Sequence, residues 1–307
     1  MKQIFLLIVT IFLIVGCGQS YEETKRQSRA LRLKLMREDS AALKIAVMPT
    51  LDCLPIFVAE ERELFDTAVD IRLKYFTAQM DCDTAMMHHR VEGMITDLVR
   101  AERMKRQGVD LEYLTATNAY WVLLSNRQQR ITGLKNLEDK MLAMTRYSVT
   151  DLLGELAVDS AKLKPEQVFR IQVNDITVRM KMLENNEMDA MWISEPQLSQ
   201  LLLAKHRVLL DTRQLDYQMG VIAFTTKDMQ DKNRKRQMEA FKKGYRQACD
   251  SINQFGVRHY VKLLRKYYPI SDQAMNHLPD SLKFKSSVTP REQDIELAQK
   301  WLTKKNL

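Results

Sequence analysis

Residues 44–65 read KIAVMPTLDCLPIFVAEERELF, and the reading of this stretch decides the fold. Residues 43–48 form a short apolar run with the length and β-branched content of a strand. Residues 49–53, punctuated by Pro49 and Asp52, predict a loop. From 54 to 65 the apolar side chains Leu54, Phe57, Val58, Leu64 and Phe65 recur at helical spacing. Pro55 falls in the first turn, where its missing N–H costs nothing. The unit is strand, loop, helix, with the loop at the carboxyl end of the strand, which is where open α/β sheets bind ligands. The helix start adds free N–H groups and a partial positive charge.

The same alternation continues outward. Strands are predicted at 69–76, 91–96, 111–115 and 120–124, with helices at 81–89 and 97–107 between them. A second α/β block follows, with strands at 141–145, 168–173, 188–193 and 208–210 and helices at 148–158, 176–185 and 196–204. Residues 220–225 read as a strand returning to the first block, and the pattern from 233 onward is wholly helical. Such alternation predicts mostly parallel sheets covered by helices. The fold expected is α/β, with two lobes and a helical C-terminal region. The chain is expected to cross between lobes near 126–132 and 215–220. Lobe 1 is therefore assigned to 43–126 plus 216–307, and lobe 2 to 127–215. Two crossings make a hinge, and a hinge makes a cleft in which a small molecule buries well.

Composition narrows the function. The chain has 307 residues, with 47 basic and 39 acidic side chains and a net charge of +8. The charges are mixed along the chain, as on solvated helix faces. The densest basic run, 232–243, is interrupted by Glu239 and by apolar Met238 and Phe241, so it reads as one amphipathic helix rather than a nucleic-acid surface. At the N-terminus, residues 4–15 form an apolar run too short to span a bilayer and suited to a signal-peptide core. The run leads into Gly16-Cys17, which resembles a bacterial lipobox. The expectation is a leader over 1–17, acyl chains on Cys17, and a polar, partly helical tether over 18–42. Of the remaining cysteines, Cys53 and Cys82 follow predicted strands, leaving a disulfide open to them. Cys249 reads as a small buried apolar residue.

Four segments in order resemble the solute-binding proteins of ABC importers, in the branch that handles nitrate, sulfonates, taurine and thiamine precursors. They are LPIFVAEERELF (54–65), HRVEGMITDLVRA (89–101), LENNEMDAMWISEP (183–196), and FTTKDM (224–229) with AFKKGYRQA (240–248). The chain departs from that pattern at Arg62-Glu63 and at Asn186, where the family often carries glycine. The resemblance implies a two-lobe periplasmic-binding-protein fold of type II. It also implies a monomeric protein, lipid-anchored to a membrane of the bacterial envelope and facing the periplasm or exterior, delivering a small polar solute to a permease. No cofactor, metal, nucleic acid or covalent chemistry is expected. Two alternatives are an enzyme on the same fold, of the thiamine-pyrimidine or menaquinone kind, and a ligand sensor for a membrane receptor.

The resemblance places the candidate ligand contacts at Thr50, Asp52 and Cys53 in the first loop, Asp81 and Asp83 in the second, and Thr96 and Asp97 after the third strand. From the second lobe it adds Arg146, Tyr147 and Ser148, then Trp192 and Glu195. Arg146 is the single obvious cation among several acids. That balance tilts the expected ligand toward a nitrogenous heterocycle, held by stacking and carboxylates, rather than a simple anion. Asp81, Asp97 and Glu195 each precede a predicted helix and also fit plain N-caps.

Overall fold

The computed structural model describes residues 21–306. The expected leader and the Cys17 acylation site lie outside the described residues. The described residues divide into two units, 21–42 and 43–306.

In the first unit, helix α1 spans Tyr21–Ala41 and has no buried residue. Glu22 and Glu23 lie in its first turn, where negative charge complements the helix dipole. No described helix is long and apolar enough to cross a membrane.

The second unit alternates strands and helices in this order: β1 (Leu43–Val47), α2 (Leu54–Glu61), β2 (Ile71–Tyr75), α3 (Gln79–Met87), β3 (Gly93–Asp97), α4 (Leu98–Arg106), β4 (Leu111–Ala116), β5 (Val122–Ser125), β6 (Lys140–Met144), α5 (Val149–Ser160), β7 (Val168–Gln172), α6 (Ile176–Glu184), β8 (Ala190–Ile193), α7 (Gln197–Leu203), β9 (Arg207–Asp211) and β10 (Gly220–Thr225). Helices follow: α8 (Thr226–Gln230), α9 (Lys235–Phe255), α10 (Val261–Tyr267), α11 (Asp272–Asn276) and α12 (Glu292–Lys304). Helix α2 stops four residues short of its predicted end, because Glu63 turns left-handed at φ 52°.

The strands form two five-stranded sheets, ordered β2-β1-β3-β10-β4 and β7-β6-β8-β5-β9. In each sheet the first three strands run parallel and the fourth is antiparallel to both neighbours. The sheets are therefore mixed where the sequence predicted mostly parallel ones. The antiparallel strand in each is the one the chain enters after leaving the other sheet. Strand β5 follows β4 of the first sheet, and β10 follows β9 of the second. Strand 122–125 thus belongs to the second sheet, so the first crossing lies at 117–121 rather than 126–132. The sequence pattern marked this strand but carried nothing about which sheet it joins.

The two crossings touch at Gly220. A Cβ there would fall 2.3 Å from Thr117 Oγ1 and 2.6 Å from Ala119 Cβ. Only the smallest residue lets the backbones pass this closely. Helix α9 covers the first sheet, with Phe241 packed edge-on to Phe224 of β10. Trp301 of α12 reaches the other sheet's helix α5, donating to Glu155 at 3.2 Å. Cys53, Cys82 and Cys249 are free and buried, so the disulfide left open between Cys53 and Cys82 is absent.

Candidate functional site

The carboxyl ends of β1 and β3 face those of β6 and β8 across a cavity of about 80 Å³. A water needs roughly 10–15 Å³ on this measure, so the space suits a solute of a few non-hydrogen atoms. From the first sheet's side it is walled by Met48, Thr50, Asp52, Gln79, Ile95, Thr96 and Asp97. From the second come Thr145, Ser148, Val149, Thr150, Asn174, Ile176, Arg179 and Ser194, and Ala119 and Trp121 close it from the first crossing.

Asp97 ends β3 and caps α4, accepting from the Arg100 N–H at 3.0 Å. Its same oxygen, Oδ1, also accepts from the Val149 N–H of α5 at 3.1 Å. The carboxylate of one wall thereby sits on the helix N-terminus of the other, where free N–H groups and the helix dipole attract negative charge. Complete burial nevertheless pushes the Asp97 carboxyl up to about 7, with Arg100 and the two N–H donors pulling the other way. Asp52 is also raised by burial, against hydrogen bonds that include Thr117 Oγ1 at 3.2 Å.

The second wall is polar and pre-shaped. Ser148 caps α5, its Oγ accepting from the Thr150 N–H at 3.1 Å and donating to the Thr145 carbonyl at 2.7 Å. Thr150 Oγ1 accepts from the Thr145 N–H at 2.9 Å. Behind them lies Arg179, 5% exposed. Its guanidinium donates to the Val173 carbonyl at 3.0 and 2.6 Å, to the Trp192 carbonyl at 3.3 Å and to Thr145 Oγ1. Among the described residues no carboxylate lies within ion-pair distance of it. Burial first, then the charge of Arg100, lowers its pKa to about 10, which leaves it cationic at neutral pH.

The structure brings together Thr50, Asp52, Thr96, Asp97 and Ser148, and disperses the other expected contacts. Cys53 is fully buried and turned inward, accepting from the Met48 N–H at 3.5 Å. Asp81 is exposed in the first turn of α3, whose N-cap is Ala78 rather than an aspartate. Asp83, also inside that helix, takes Arg100 in a buried two-point pair. Arg146 and Tyr147 line a different cavity, of about 320 Å³, with Arg170 and Lys305. Tyr147 there stacks under Arg103 at 4.8 Å. Trp192 is wholly in the core, its backbone alone turned to Arg179. Glu195 accepts from Tyr120 Oη at 3.0 Å and from the Ser199 N–H at 3.1 Å, beside a void of about 10 Å³ adjoining the cavity. Among the described residues no group of three or more His, Cys, Asp or Glu side chains is arranged to hold a metal ion.

Sequence reasoning missed Arg179, Gln79, Asn174 and Trp121. Arg179 had a signal: in the helix ITVRMKMLE it stands three positions beyond Ile176 and next to Met180, a charged side chain on the face that Ile176, Met180 and Leu183 bury.

Solved structures share this architecture. The chain superposes on the periplasmic aliphatic sulphonate binding protein SsuA from Escherichia coli with a TM-score of 0.69 and 16% identity, over 87% of this chain and 88% of that one. It matches the ligand-binding component of an ABC-type import system from Staphylococcus aureus, solved with zinc bound, at 0.69 and 15%, over 86% and 92%. It matches the periplasmic nitrate-binding protein NrtA from Synechocystis PCC 6803 at 0.67 and 12%, over 80% and 74%. The chain has the type II periplasmic-binding-protein fold. No family model and no curated protein sequence matches the chain.

Proposed function

We propose that this chain is a membrane-anchored, extracytoplasmic solute-binding protein that closes on a small anion and presents it to an ABC permease. The observation that carries the reading is Arg179, a buried cation in the cavity wall with, among the described residues, no carboxylate within ion-pair distance. The Val173 and Trp192 carbonyls and Thr145 Oγ1 satisfy hydrogens of its guanidinium without neutralising the charge, and a bound anion supplies the countercharge. Three nearby hydroxyl side chains and the N-terminal turn of α5 add donors for its oxygens. The size of the cavity suits nitrate or a short sulfonate better than a fused heterocycle. The named ligands of the structural neighbours support the class but do not transfer at such low identity.

A nitrogenous or amine-bearing solute is the second reading, favoured by Asp52 and Asp97 on the opposite wall. A thermal-shift panel separates the two, since a ligand that binds only the folded state raises its melting temperature by mass action. Nitrate and short sulfonates are expected to stabilise the protein, and Arg179→Lys to weaken that stabilisation. Stabilisation by amines or pyrimidines alone overturns the anion reading. Anchoring is tested in cells: Cys17→Ala is expected to release the protein from membranes, and unchanged retention without acyl label removes the lipid anchor.

A further inference from the structure

Helix α1 carries a feature the solute site does not use. Between Lys25 and Arg37 it holds six basic residues, Lys25, Arg26, Arg29, Arg32, Lys34 and Arg37, with no acidic residue among them. The acids Glu22, Glu23, Glu38 and Asp39 all flank that run. Lys34 meets Glu38 at 3.9 Å, with 73% and 48% of the two side chains exposed. At that distance and exposure the pair contributes little. Among the described residues, Arg26, Arg29, Arg32 and Arg37 have no acidic partner.

The spacing makes this costly in isolation. Lys25 and Arg29 stand at i,i+4, and Arg26–Arg29, Arg29–Arg32 and Lys34–Arg37 at i,i+3, so like charges are neighbours on the helix surface and repel. A helix that accumulates such pairs is stabilised by a polyanionic surface laid against it. Leu31 and Leu35 share one face, and Leu33 and Met36 lie together on the other among the basic residues, all four about half exposed or more. These exposed apolar side chains interleaved with cations add contacts to a surface whose headgroups are anionic. The helix also opens just after the Cys17 position in sequence, at the membrane-proximal end under the anchoring proposed above.

We infer that α1 is an anionic-phospholipid-binding helix that lies on the membrane surface, adding an electrostatic contact to any acyl anchor. Each basic residue near an anionic bilayer contributes about 1 kcal/mol, so several together exceed a tenfold gain in partitioning.

The test uses the chain from Gly18 onward, which lacks both leader and acyl site, in co-sedimentation with vesicles. Partitioning onto phosphatidylcholine vesicles with about 30% phosphatidylglycerol is expected to exceed that onto pure phosphatidylcholine by at least about tenfold. About 0.5 M salt abolishes the difference by screening. Replacing all six basic residues by Gln, which keeps helix propensity, drops binding to the neutral-vesicle level. The compact unit from Leu43 onward behaves the same way. Equal binding to both vesicles, or full binding by either variant, overturns the inference. So does a dimer that dissociates when the six residues are changed and shows no vesicle binding, which assigns the helix to a second copy of the chain. Solute-induced stabilisation is measured on the same variants and is expected to stay unchanged, so failure here leaves the cleft reading standing.

Discussion

The wall contributed by the first sheet carries its charge as Asp52, in the turn after β1, and Asp97, at the end of β3, whereas the second carries Arg179 and the N-terminal turn of α5. Both walls use the same topology, with three parallel strands delivering their carboxyl ends to the cavity. The chemistry differs because it is written in the loops and first helical turns, while the sheets below are apolar in both. Asp97 bridges the two by accepting from Val149. Asp97 thus occupies the helix end that an anionic solute would also favour, and under the proposed anion reading a charge on that carboxylate opposes such a solute.

The strongest way to break this picture is at the second wall. Trp192→Ala removes a fully buried indole. It is expected to cost about 3–5 kcal/mol of stability in urea denaturation, as for other large core truncations. A loss under about 1 kcal/mol would return Trp192 to the cavity, as the sequence had it, since surface substitutions fall in that range.

Asp97→Asn tests the bridge. The folded carboxyl titrates at about 7, well above its unfolded range near 4. The folded chain keeps a proton that the unfolded chain releases. Wild-type stability is therefore highest at low pH as far as this group goes, falls as pH climbs from about 4 to about 7, and has lost the whole contribution above that. Asn accepts the same two N–H bonds without titrating, so the slope in that window is expected to flatten. Anion binding, expected to be a few-fold tighter near pH 6 than near pH 8 in the wild type, is expected to lose that dependence. A variant that keeps the wild-type slope moves the titration elsewhere.

The smallest effect concerns the first wall. Cys53 and Cys82 are free thiols beneath it, and burial drives both pKa values up. Reductant is expected to change neither mass nor melting temperature by more than about 1 °C, and maleimide to label only the unfolded chain. A reducible cross-link would show that the first wall is stapled.

Much of the fold was legible because apolar runs and helical spacing are local. Residues 220–225 were read as a strand to their ends, and the helical region after 233 followed from period alone. What was not local was lost. Strand 122–125 is the same four apolar-rich residues whichever sheet it joins. Asp97 and Ser148 were legible as cavity-lining positions because each follows a strand and opens a helix. Asp81 and Asp83 have the same composition and adjacent places, yet one meets solvent and the other Arg100, a difference set by helix phase and by a partner seventeen residues away. Arg179 was not legible because it lies within a helix, where a lone charge most often marks a solvated face, rather than in a loop at a strand end.

The insertion of β10 between β3 and β4 has a temporal meaning. Every strand of the second sheet lies within 122–211, so that sheet is complete once residue 211 has been supplied. The first sheet lacks the strand that joins β3 to β4 until residues 220–225 arrive. A chain emerging from its N-terminus therefore carries two unpaired strand edges through the synthesis of an entire lobe, and such edges are open to misassociation. The early-synthesised half of the molecule is the last to be finished, and a holding chaperone would find its substrate there.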